Sequence, residues 1–272
     1  MRQSLRLFTA GLAAVALPEN PVGAAESAAP AQTTPVEEGK LTISLSAGIA
    51  AAPDYQGSDD YIPEPLVFGR IQQGPYFLAL DGTKLRANVV PSQRFEAGPL
   101  VRYRFERGSV ENDQVDEFEH VDPALEVGAF AKWKLDPVIL GIEAFQDVAG
   151  GHNGYLVRGE VGHERQLADK VFASGKVFST YASDGFMSTY FGVDAADARR
   201  SGLDEDDASA GIKDVGLQLT GTYALTDSWN VTGVGGYTRL LGDAADSPIV
   251  EGPGGSANQF LTLIGLTYEF SF

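Results

Sequence analysis

The last twelve residues, LTLIGLTYEFSF from Leu261 to Phe272, end the chain on an aromatic residue and put Ile264, Leu266, Tyr268, Phe270 and Phe272 at alternate positions. A strand turns successive side chains to opposite faces. This segment therefore predicts a strand with one continuous apolar face and a second face of Leu263, Gly265, Thr267, Glu269 and Ser271. A soluble sheet would leave such a strand uncovered at the very end of the chain, unless it were the last core strand of a β-sandwich. An outer-membrane barrel covers the apolar face with lipid and closes the edge by pairing with the first strand.

The other end of the chain agrees. Met1 to Arg6 carries two arginines, Leu7 to Leu17 is a run of apolar or small residues, and Val22-Gly23-Ala24 offers small residues before a cleavage point. That is the layout of a secretory signal peptide, expected over residues 1–24 with the cut near Ala24 or Ala25. The run falls well short of the roughly 20 residues a spanning helix needs, and no later segment reaches that length without a charge or a break. Residues 25–39 lack periodicity and are rich in Ala, Pro and Thr, which predicts a disordered periplasmic leader. Cysteine is absent, so no disulfide framework and no thiol chemistry is available.

Residues 40–272 read as a barrel. Alternating segments of about ten residues recur, separated by turn-rich connections. In one of them Phe95, Ala97, Pro99, Val101 and Tyr103 oppose Arg94, Glu96, Arg102 and Arg104; in another Val127, Ala129 and Trp133 oppose Glu126, Lys132 and Lys134. Val127 and Ala129 are expected to face lipid. Glu126 is expected to face the lumen, where Gln is a mild replacement. The assignment is twelve strands near 41–52, 65–72, 75–80, 84–90, 94–106, 122–135, 138–147, 155–166, 170–181, 211–225, 228–241 and 259–272. The hairpin around Asp81-Gly82 is its weakest part, and ten strands are the alternative. The predicted fold is all-β: a transmembrane, antiparallel, up-and-down β-barrel with short periplasmic turns and long outer loops, in the outer membrane of a Gram-negative cell. On this topology Trp133, Trp229, Phe95, Phe270 and Phe272 form a periplasmic girdle. Tyr103, Phe105, Tyr155, Tyr181, Tyr237 and Phe260 form an outer one, as interfacial aromatics do.

The formal charge of −17 is unevenly placed. The expected outer loops, 54–63, 106–122, 147–153, 184–210 and 243–251, hold 21 acids against three bases (Arg107, Arg199 and Arg200), a balance of −18. Such a surface repels nucleic acid and excludes that partner. Its expected partners are outer-membrane lipid and lipopolysaccharide, reached through divalent cations, and the like charges are expected to spread as mobile loops. Asp204 to Asp207 and Asp113 to Glu119 lack the spacing of a calcium loop, so no metal ligand is assigned. Histidine occurs only at His120, His152 and His163. Asp147 and His152 flank a glycine-rich rim segment and suit activation of water only if they meet; no catalytic and no cofactor-binding residue is assigned, and the chain is not read as an enzyme. The lumen face, with Arg94, Glu96, Glu143, Arg158, Glu160, Glu164 and Lys176 among others, either fills the interior with ion pairs or lines a narrow water path.

Six strings carry a resemblance to a known family: Pro53 to Tyr61 (PDYQGSDDY), Ala97 to Phe105 (AGPLVRYRF), Gly150 to Gly154 (GGHNG), Thr189 to Val193 (TYFGV), Gly211 to Gly216 (GIKDVG) and Leu240 to Val250 (LLGDAADSPIV). The chain resembles the MltA-interacting protein family, also called MipA/OmpV, from about Leu41 to Phe272. The resemblance implies an outer-membrane barrel acting as a scaffold that holds a murein lytic transglycosylase and a peptidoglycan synthase in one complex. It brings no catalytic residues. A narrow solute channel, and an adhesin or lipopolysaccharide-contact barrel using the acidic loops, remain as alternatives.

Overall fold

A computed structural model describes residues 40–272, so the expected signal peptide and leader lie outside the described residues. Twelve antiparallel strands follow one another around a closed barrel. They are β1 (Leu41–Pro53), β2 (Tyr61–Gln73), β3 (Tyr76–Asp81), β4 (Lys84–Asn88), β5 (Phe95–Arg104), β6 (Ala124–Leu135), β7 (Val138–Asp147), β8 (Tyr155–Ala168), β9 (Val171–Ala182), β10 (Gly211–Ala224), β11 (Trp229–Leu240) and β12 (Asn258–Ser271). The terminal strand closes the wall: β12 pairs with β1 from Thr42↔Ser271 to Ala51↔Thr262, and Phe272 N–H donates to Leu41 O at 3.0 Å. Its alternation holds, with Ile264, Leu266 and Phe270 exposed outward and Leu263, Thr267 and Glu269 buried. The segment around Gly82 is a hairpin of two short strands, which rules out the ten-strand count.

The largest departure from the expected boundaries is at β2, which begins at Tyr61 and not at 65. The strand carries Pro63 and Pro65, which lack a donor for the ladder, and both pair in register with Ala51 and Ile49 of β1. The reason lies on the opposite edge. Successive strand residues aim their backbone groups at alternate neighbours, and Val67 O accepts from Gly82 N, so residues 63 and 65 aim toward β3. But β3 reaches β2 only as far as Phe68↔Asp81, and no described strand flanks Tyr61–Val67 on that side. A proline has no N–H, so at these two positions it removes donors that would otherwise point into a gap in the wall. Arg94, expected to face the lumen, instead precedes β5 and is exposed, and Phe105 lies just beyond the strand's end.

The outer loops are not spread. They carry five short helices, α1 (Asp113–Asp116), α2 (Asp184–Phe191), α3 (Ala195–Ser201), α4 (Asp243–Asp246) and α5 (Pro248–Glu251), and they interlock over the mouth. Tyr55, Val115, Phe118, Val193 and Ile249, drawn from four loops, bury one another in a roof cluster. Below it Phe186, Met187, Tyr190 and Phe191 of α2 pack into the lumen against Leu100, Phe130, Phe145 and Leu156 of the wall. Repulsion among exposed carboxylates is screened within about 8 Å at physiological salt, and burial of this apolar surface outweighs it. Asn112 joins the loops with its amide, donating to Tyr55 Oη at 3.1 Å and to Pro253 O at 2.8 Å. Gly57, at φ +106°, lets the first loop approach the last: a Cβ there would lie 2.5 Å from Val250 Cγ2.

Two outcomes test the wall. Ala129→Arg should destabilise the barrel by about 2 to 4 kcal/mol in refolding into lipid vesicles, the cost of a charge at mid-bilayer on the lipid face. A cysteine at Ser109, exposed in the β5–β6 loop, should react with an impermeant thiol reagent on intact cells, and one at Ser228 in the β10–β11 turn should not. Labelling of Ser228 alone would invert the topology.

Candidate functional site

A closed wall turns alternate side chains into a lumen cut off from lipid and largely from water, and there charges need partners. The lower lumen meets that demand strand by strand. Lys84 Nζ lies 3.0 Å from Glu143 Oε2, Arg86 Nε 2.6 Å from Asp81 Oδ2, Lys176 Nζ 3.0 Å from Glu160 Oε2 and Lys134 Nζ 2.6 Å from Glu96 Oε1. The charges concentrate on β3 to β9. Across the barrel the lining is mostly neutral, with Thr222 and Thr232 hydroxyls 2.9 Å apart and an apolar patch of Ala50, Leu66, Phe68, Val234, Leu261 and Leu263.

Glu126 is the centre of the upper lumen and is 0% exposed. Arg102 Nε donates to one of its oxygens; Arg104, at 3.4 Å, and His152 Nε2, at 2.9 Å, meet the other. The histidine is held in one form. Its Nδ1 accepts from Gly154 N–H at 3.1 Å, so the ring proton resides on Nε2 and is donated to Glu126. Asp147 does not meet the ring: its carboxylate accepts main-chain N–H groups of Ala149, His152 and Asn153 and so shapes the loop. The glycines around His152 are steric. A Cβ on Gly154 would stand 2.5 Å from Phe186 N, so only glycine lets α2 seat here. Phe186 then packs edge-on against the His152 ring, with Arg104 5.2 Å from its own ring centre.

Beneath α2 lies a cavity of about 90 Å³ lined by Arg102, Arg104, Arg158, Thr180, Lys213 and Asp214, with Phe145, Phe178 and Phe186 among its apolar lining. Lys213 and Asp214 are consecutive, yet both are buried in the lumen. A bulge explains this. β10 pairs Ile212 with Tyr181 and Asp214 with Thr180, leaving Lys213 as the extra residue, and an extra residue re-aims a side chain. Alternation through Thr222, Thr220, Gln218 and Gly216 runs on to Asp214 and sets it inward, whereas Lys213 falls out of that phase and is turned in by the bulge alone. Lys213 Nζ bonds Asp214 and, at 3.1 Å, Gln56 of the first outer loop.

Among the other predicted residues, His120 lies in the β5–β6 loop and His163 on the outer face of β8, and neither bonds His152. Among the described residues no group of three or more His, Asp or Glu is arranged to hold a metal ion. Asp206 is in the roof, bridged to Val193, and burial raises its carboxyl above the ordinary value, with Asp243, Asp207 and Asp246 adding to the rise. Burial likewise pushes the Tyr55 hydroxyl up to about 12, which keeps it a donor to Gly254 O.

The strings that interlock in this roof are matched by a family model described as MltA-interacting protein MipA, over residues 45–270. The chain belongs to that family. It is an outer-membrane β-barrel. Two relatives are each 33% identical over 91 residues: outer membrane protein Omp26La of Vibrio anguillarum and outer membrane protein OmpV of Vibrio cholerae. Each match spans about a third of the chain (34%) and of the relative (33%). Among solved structures, an outer membrane channel from Pseudomonas putida F1 is 13% identical with a TM-score of 0.48, covering 89% of this chain and 99% of that one. The CymD monoaromatic hydrocarbon channel is 12% identical with a TM-score of 0.43, covering 93% and 99%.

The burial of Glu126 overturns the expectation that Gln is mild there. Glu126→Gln leaves Arg102 and Arg104 facing a neutral amide out of water, and breaking a buried ion pair by removing one partner costs about 3 to 5 kcal/mol. The urea midpoint of the family's barrel in vesicles should fall accordingly, as far as or further than for Ala129→Arg. An unchanged midpoint would show that Glu126 is not the centre of this network.

Proposed function

We propose that this barrel anchors a murein lytic transglycosylase at the inner face of the outer membrane and holds it with a peptidoglycan synthase in one complex. The family description, MltA-interacting protein, supports the partner. The geometry that supports the reading is the difference between the two rims. The outer mouth is roofed by loops that bury their own apolar residues, so little there remains to grip a protein. The periplasmic rim is uneven. β7 pairs with β8 only as far as Ile139↔Gly162, while β8 and β9 continue to Ala168↔Val171. From His163 to Ala168 both faces of β8 are exposed, and no described strand flanks its β7 side. An edge of this kind accepts an added strand from a partner, with main-chain hydrogen bonds supplying affinity. Leu167, 64% exposed at its tip, is the apolar residue such a partner would cover.

The test is an affinity pull-down from solubilised envelope with the full barrel. The wild type should retain a murein lytic transglycosylase, and Leu167→Asp should lose most of it while keeping the heat-modifiable mobility of a folded barrel. Absence of any murein enzyme from the wild-type eluate would sink the scaffold reading, and unitary conductance in a planar bilayer would turn attention to solute passage.

A further inference from the structure

Arg158, Thr180 and Asp214 sit side by side on β8, β9 and β10, joined as cross-strand pairs Arg158↔Thr180 and Thr180↔Asp214. All three line the cavity beneath α2. Each also has buried polar atoms without a hydrogen-bond partner: Nε and Nη2 of Arg158, Oγ1 of Thr180 and Oδ1 of Asp214. Buried polar groups are nearly always satisfied, so three neighbours failing together call for an explanation. The Lys84–Glu143 and Lys176–Glu160 pairs elsewhere in the lumen are made, and among the described residues this row is where such atoms fall on three directly paired neighbours.

The unsatisfied atoms have a definite chemistry. Nε and Nη2 form one edge of the guanidinium, and that edge matches a carboxylate with two parallel N–H···O bonds. The guanidinium lies 3.5 Å from the Phe178 ring centre, a stacking that fixes its plane. The row offers an acceptor as well, Asp214 Oδ1. Charge around the cavity favours an anion: Arg102, Arg104, Arg158 and Lys213 face Asp214 and, behind the arginines, Glu126, a surplus of two positive charges. His152 adds none, since its Nδ1 accepts a main-chain N–H. At roughly 10 to 15 Å³ per water-sized position, about 90 Å³ admits a solute of roughly six to nine heavy atoms.

We propose that this cavity binds a small dicarboxylate bearing a hydroxyl or ammonium group next to one carboxylate. Arg158 and Thr180 hold that carboxylate, Asp214 accepts from the neighbouring donor, and the Arg102–Arg104 side balances the second charge. As the row stands its polar atoms are shielded from water, so uptake requires the Arg158 side chain to turn toward the cavity it lines. The acidic roof slows entry by repulsion, which salt screens beyond about 8 Å, whereas the groups in the cavity act at contact distance. The site is independent of the transglycosylase reading, because it lies under the outer roof and not at the periplasmic rim.

Equilibrium binding of radiolabelled malate and aspartate to the purified barrel at low salt tests this directly. One saturable site per barrel is expected for at least one of them, with succinate weaker because it lacks the donor. Whichever of malate and aspartate binds tighter identifies the donor that faces Asp214, hydroxyl or ammonium. Arg158→Gln should weaken binding at least tenfold, Arg158→Lys should recover part of it, and Thr180→Val should weaken it by a smaller factor. If Arg158→Gln fails to give a heat-modifiable barrel, Thr180→Val and Lys213→Gln carry the test. No saturable binding of either probe to the wild type, or unchanged binding by the folded variants, overturns the proposal.

Discussion

An amide group in hydrocarbon has no water to bond, and the wall of this barrel is organised around that constraint. Closure of β12 on β1 is its first consequence: a strand that would be an aggregation-prone edge in a soluble sheet becomes one more member of a continuous ladder. The two prolines of β2 are its second. Beside the short β3–β4 hairpin the ladder is incomplete, and there the chain offers the one residue type with no donor to leave unsatisfied. The pairing of β12 with β1 and the placing of Pro63 and Pro65 beside the short hairpin thus answer one physical demand in two ways.

Closing the wall moves the same demand inside. Once the lumen is shielded, a charge entering it without a partner costs several kcal/mol, so the inward positions of β3 to β9 come as acid and base on facing or neighbouring strands. Glu126 gathers two arginines and a histidine whose tautomer is set by a main-chain N–H, and the histidine belongs to the loop that seats α2. The roof is therefore coupled to the wall through Glu126. Each loop carries acids outward and apolar residues inward, and its formal charge alone describes only the outward part.

Much of this was legible in the chain. Period-two alternation located all twelve strands, and most boundaries moved by no more than a residue or two, because lipid outside and charge inside impose opposite demands on alternate residues. The glycine and histidine of GGHNG marked the right place but not the partner, since Glu126 lies in a different strand and pairing across strands leaves no trace in local spacing. β2 starts at Tyr61, ahead of its expected start at 65, and Pro63 and Pro65 pair there because a missing donor is harmless at an open edge. The packed roof was hidden too: Tyr55, Phe186 and Ile249 stand among acids in sequence, and only the fold collects them into a core.

The bulge at Lys213 is the feature least visible to periodicity, and it bears most on what the lumen does. A regular strand supplies one inward side chain in two, so a base and an acid that must stand together on one strand cannot come from adjacent residues. One extra residue removes that restriction and sets Lys213 and Asp214 inward side by side, within the row that runs through Thr180 to Arg158. Bulges interrupt a ladder that hydrocarbon makes costly to interrupt, and this one falls where the lumen also leaves its polar atoms unsatisfied. The other interruptions of the ladder, beside the start of β2 and at the end of β8, lie at the rims, whereas this one coincides with a lumen cavity and with the row of unsatisfied atoms that lines it, and that coincidence is what the proposed site rests on.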